Sequence, residues 1–90
     1  MKSDLLSIVH DMYVHLERQY QSHLTEGNGR EVHDLNAGRT PLCGHMQLMD
    51  EALKKKNLPK EYTYERIGDL LQLYDRCESR LIGILDKRKK

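Results

Sequence analysis

Residues 64–88, YERIGDLLQLYDRCESRLIGILDKR, restrict what this chain can fold into more than any other stretch. Ile67, Leu70, Leu71, Tyr74, Cys77, Leu81, Ile84 and Leu85 keep helical phase over six turns. With Leu73 and Ile82 at its margins, the apolar arc covers roughly half the helix circumference, wider than one contact needs. Such a helix must cover two neighbours, or one neighbour and a partner chain. Gly68 and Gly83 fall on its polar side, where they weaken the helix mildly.

Two further helices supply the neighbours. Leu5, Val9, Met12, Leu16 and Tyr20 recur at steps of four, three, four and four, a stripe widened by Leu6, Tyr13 and Leu24. Ser3 is placed to cap this first helix, which spans about 3–26 and ends at Glu26-Gly27-Asn28-Gly29. Residues 27–40 then read as a long connection, with a turn or two of helix over 30–36 and Gly38 as a left-handed C-cap. Thr40 before Pro41 reads as a cap followed by proline at the first helical position. Leu42, Met46, Met49 and Leu53 line this second helix, about 41–57, which stops ahead of Pro59. The third helix covers about 63–88. The expected fold is therefore all-α: a three-helix up-down-up bundle or a helical homodimer, with a long loop between the first and second helices.

Composition explains why a partner is expected. Ninety residues allow a single small domain, 1–90, and its interior must be filled without Trp or Phe. Apolar residues make up 38% and charged residues 32%, a lean core that a second copy or a larger protein could complete. The net charge of +1 conceals a gradient: residues 1–86 sum to −3, and the tail 87–90 adds four cations. No domain-wide basic field exists to favour nucleic acid. Two cysteines without a CxxC pair fit a reducing cytoplasm better than a secreted scaffold. The N-terminus does not read as a signal peptide, and no apolar run reaches membrane-span length.

Several residues carry candidate chemistry. An antiparallel first pair of helices would bring His23, His33, Cys43 and His45 to one end, a weak candidate for a transition-metal site. The spacing argues against it, because Cys43-Gly44-His45 is the only short pair. Cys43 near a helix N-terminus would have a lowered pKa, as a reactive thiolate needs, yet no orienting carboxylate is identifiable beside it. Gly38-Arg39-Thr40-Pro41-Leu42 resembles the opening of an ankyrin repeat, but no second copy follows about 33 residues later. Residues 64–88 resemble a helix-turn-helix of the sigma-factor or response-regulator kind, which implies a turn at Gln72-Leu73 and base contacts from Arg76, Ser79 and Arg80. That arrangement would bury Glu78, whereas one unbroken helix keeps Tyr74, Cys77 and Leu81 in phase.

Lys54-Lys55-Lys56 and Lys87–Lys90 each end a helix, where cations complement the helix dipole. The residue pattern points to a small non-enzymatic regulator, inhibitor or adaptor that covers a larger protein's surface with its helix faces. Tyr13, Tyr20, Tyr62, Tyr64, Arg76 and Arg80 are the expected anchors, since Tyr and Arg dominate binding hot spots; Met46 and Met49 add an adaptable patch. No cofactor is expected, a homodimer is, and nucleic acid is not favoured.

Overall fold

The computed structural model describes residues 1–89. Its three helices are α1 (Lys2–Leu24), α2 (Gly29–Leu53) and α3 (Tyr64–Arg88), and no strand occurs among the described residues. The molecule is long and narrow, with extents of 47 × 19 × 15 Å.

The helix starts differ in how their free amides are satisfied. Asn28 caps α2 by accepting from the Glu31 amide at 3.3 Å, and Thr63 caps α3 by accepting from the Arg66 amide at 3.1 Å. Ser3 does not cap α1. That helix already includes Lys2, and Met1 at its cap position makes no side-chain bond. Residues 54–63 form the longer connection, steadied by a bond from the Tyr62 amide to the Pro59 carbonyl.

The expected loop at 27–40 is not there. Only residues 25–28 separate α1 from α2, and Pro41 lies inside α2 rather than at its start. The helix passes through for tertiary reasons. Leu35 and Leu42, on either side of Gly38, are both fully buried, so the core fixes the backbone of the intervening turns. The Thr40 hydroxyl donates to the Asn36 carbonyl at 2.8 Å, a within-helix bond rather than a cap. Gly38 is no left-handed C-cap, for no glycine has positive φ. α3 runs without interruption through Gln72-Leu73, so the turn that a helix-turn-helix requires is absent.

All three helices contribute a seam whose buried residues recur at steps of three, four or seven. Leu6, Val9, Tyr13, Leu16 and Tyr20 are buried on α1; Leu35, Gly38, Leu42, Met49 and Ala52 on α2; Ile67, Leu70, Cys77, Leu81 and Ile84 on α3. That spacing suits helices packed at small crossing angles. Two tyrosines tie the seam together. The Tyr13 hydroxyl donates to the Leu70 carbonyl and the Tyr20 hydroxyl to the Cys77 carbonyl, each joining α1 to α3 one heptad apart. Burial pushes both phenols above their ordinary range, Tyr20 to about 12. Tyr13 also lies 6.3 Å from the Tyr74 ring, measured between centroids.

Candidate functional site

A partly buried polar cluster lies between α1 and α2. Glu17 is 8% exposed, flanked by the buried Leu16 and Tyr20, and its carboxylate accepts from Arg39 Nε at 2.6 Å. The Cys43 thiol points to the same oxygen at 3.9 Å, the outer limit for a sulfur donor. His10, Val14, Met46, Gln47 and Asp50 extend the cluster into a shallow hollow. Glu17 and Arg39 follow from helical phase, because each sits beside a seam position (Leu16 and Gly38) on the side facing the other helix.

This geometry gives Cys43 the opposite character from the one its sequence position suggests. It lies in the middle of α2, remote from the helix N-terminus. Burial pushes its thiol up, and the Glu17 charge adds to this against the pull of Arg39. Cys43 is therefore held as a thiol at neutral pH, whereas nucleophilic attack uses the thiolate. Cys77 is also pushed up by burial, and both cysteines are free.

The four candidate metal ligands do not converge. His23 lies at the end of α1, where Arg88 Nη1 donates to its Nδ1 at 3.1 Å. His33 is exposed beside Asp34. Cys43 turns toward α1, while His45, two residues later, lies within the field of Arg66 on α3. Burial first, and that arginine second, lower the His45 pKa. Among the described residues no group of three or more His, Cys, Asp and Glu side chains could hold a metal ion.

The expected partner anchors divide in two. Tyr13, Tyr20 and Met49 are fully buried and hold the helices together, so they are not surface anchors. Their apolar rings and chains occupy seam positions, and the two hydroxyls find acceptors inside. Tyr62 and Met46 are half-buried, Met46 in the hollow beside Cys43. Tyr64 is 64% exposed, with the Lys2 ammonium 5.8 Å from its ring centroid. Arg76 and Arg80 are exposed and border a hollow with Ala37, Gly38 and Pro41 of α2 and Leu73 and Cys77 of α3.

The role of Arg88 escaped the sequence reading, which placed it in a basic cluster that ends the third helix and complements its dipole. Its guanidinium donates to the His23 carbonyl at 2.8 Å, thereby capping the end of α1, and also pairs with Glu26 and Glu31. The signal was present in the spacing, since Tyr74, Cys77, Leu81, Ile84 and Arg88 continue the three-four alternation of α3. At the other cluster Lys54 pairs with Asp50 at 3.0 Å. The tail's last residue, Lys90, lies outside the described residues. Among the described residues no helix is long and apolar enough to cross a membrane.

Comparison of the chain with protein-family models, with curated proteins and with solved structures gives no match.

Proposed function

We propose that the chain is a non-enzymatic protein-binding module, a small regulator, inhibitor or adaptor of the cytoplasm that covers part of a larger protein with its helix faces. The carrying observation is the apolar surface that the fold leaves open. Ile8, Leu48, Tyr64 and Ile82, drawn from all three helices, are each more than half exposed. Their helices form an up-down-up bundle in this reading, supported by the Tyr13–Leu70 and Tyr20–Cys77 pairings, which run in the same direction along α1 and α3. The two free thiols accord with a reducing compartment.

Self-association through α3 is the second form of this reading. Ile82 stands exposed between the half-buried Leu71 and Leu85 on one outer ridge of α3, and a second copy could cover that ridge.

A photo-crosslinking amino acid placed in turn at Leu48, Tyr64 and Ile82 tests both forms in living cells. At least one position should yield a discrete adduct containing a second protein. An adduct at twice the chain mass supports the homodimer. Folded variants that give no adduct from any position would sink the reading.

A further inference from the structure

We infer that the seam between α2 and α3 is a docking trough for an acidic amphipathic helix of another protein. This rests on the protein-binding reading and names the surface and the partner's chemistry.

The argument starts from one ridge of α3. Arg66, Asp69, Leu73, Arg76, Arg80, Gly83 and Lys87 follow at steps of three and four, so they share a face of the helix. Two shared hollows show where that face points. Leu73, Arg76 and Arg80 share a hollow with Ala37 and Pro41 of α2, and Lys87 shares another with Arg30 and Asp34. The ridge therefore borders α2, on the side away from the tyrosine bonds to α1.

Its charges are what distinguish it. Among the described residues, none of Arg30, Arg66, Arg76, Arg80 and Lys87 has a carboxylate within ion-pair distance. Arg39 and Arg88 are by contrast closely paired, with Glu17 and with Glu26 and Glu31, while Arg18 on α1 has no carboxylate within that distance among the described residues. The seam thus sets five unpaired cations against Asp34 and Asp69, with Glu31 already paired to Arg88 at one end, in a chain whose net charge is only +1. Between the cations the surface is apolar: Leu73 is half-buried, Pro41 lines the same hollow, and Leu48 is exposed farther along α2 in phase with Pro41.

These features select the occupant. An apolar trough edged by cations matches an amphipathic helix with an apolar stripe and flanking carboxylates. Arg76 and Arg80 stand one turn apart, the spacing at which Glu or Asp residues four apart on a facing helix can receive both guanidinium groups. From Arg66 to Lys87 the ridge runs about 30 Å at the helical rise, room for a helix of about six turns. A nucleic-acid backbone would meet the same arginines, but it offers nothing apolar to cover Leu48 and Leu73.

The probe is a synthetic amphipathic peptide about six turns long, with Leu along one stripe and Glu on both flanks. A copy with every Glu replaced by Lys, and a duplex DNA, serve as comparisons. Titrated into the full-length isotope-labelled protein, the Glu peptide should shift the amide resonances of Leu48, Leu73, Arg76 and Arg80. Arg76→Glu with Arg80→Glu, shown by circular dichroism to be folded, should weaken that binding about tenfold or more. Added salt should weaken it as well. Equal binding of the Lys peptide, shifts confined to α1, no binding of the Glu peptide, or tighter binding of the duplex would each overturn the inference. Its failure is separable from that of the broader reading: crosslinks to another protein through Tyr64 or Ile82, without Glu-peptide binding, remove the trough and leave the module. Loss of both removes both.

Discussion

Gly38 and Gly44 stand six residues apart in α2, and a methyl group would mean opposite things at the two positions. A Cβ built on Gly38 would lie 2.5 Å from the Tyr20 hydroxyl oxygen and 2.7 Å from its ring. One built on Gly44 meets nothing within 4 Å. The first glycine is a packing element, because it lets the Tyr20 ring cross α2 closely enough to reach the Cys77 carbonyl of α3. The second is merely a residue of poor helix propensity. What separates them is the partner side chain on the next helix, which local sequence does not reveal.

Gly38→Ala is the hardest test of that contrast. Ala favours the helix by about 1 kcal/mol, but the overlap with Tyr20 must be relieved by moving a buried ring or separating two helices. The net expectation is a loss of about 1–3 kcal/mol, read as a lower urea midpoint. Combined with Tyr20→Leu, the two losses should fall short of additive, since both act on one contact. A Gly38→Ala chain as stable as the parent would remove the three-helix contact from the account.

Second in size is Arg39→Met, one residue beyond Gly38. It keeps most of the side-chain length but leaves the buried Glu17 carboxylate with only the weak Cys43 donor. A loss of about 2 kcal/mol is expected, below the range for a fully buried pair because Arg39 is 31% exposed. Adding Glu17→Gln should recover part of it, because a neutral amide is cheaper to leave under-bonded than a carboxylate.

These two neighbours also mark how far the sequence can be read. The three-four spacing of apolar residues on α3 is a strong signal, and all-helical architecture follows from it. The stretch from Gly27 to Pro41 is where that reading fails. Its Gly, Asn, Thr and Pro residues favour turns and caps locally, while burial of Leu35 and Leu42 and the fit of Tyr20 over Gly38 favour helix. Tertiary contacts win even against penalties of about 1 kcal/mol for an interior Gly and about 3 kcal/mol for an interior Pro. The same ambiguity affected the candidate site residues. Helical phase places Tyr13 and Tyr20 on an apolar stripe, but whether such a ring is core or anchor depends on a neighbour found 57 residues later. Arg76 and Arg80, whose phase sets them beside the seam rather than in it, stayed outside.

A third, smaller effect probes the tyrosine itself. Tyr20 keeps its proton in the folded protein to about pH 12, whereas an unfolded chain releases it near 10. Across that window the unfolded state binds fewer protons, so stability falls as pH rises and is fully present below about pH 10. Tyr20→Phe should cost about 1 kcal/mol at neutral pH, and the Cys77 carbonyl can still accept within its own helix. It should also flatten the alkaline decline measured by urea titration between pH 9 and 12. An unchanged decline would assign it to other groups.

Gly44→Ala, the smallest effect, carries the opposite sign. Gly44 has negative φ inside α2, so Ala enters without backbone strain, and the space around its Cβ is open. The unfolded chain loses freedom and the helix gains propensity, together worth about 0.5–1 kcal/mol. For a domain of this size that raises the melting temperature by roughly 4 °C. Gly44 also lies in phase with Pro41 and Leu48, on the α2 side of the proposed docking trough. A helix seated deep in that trough would touch the new methyl group, whereas one held only by the arginine rim would not. Gly44→Ala therefore yields two readings from one protein: a higher melting temperature when free, and a change in acidic-peptide affinity that reports the depth of docking. A lower melting temperature would show that something packs against Gly44, and the contrast with Gly38 would collapse.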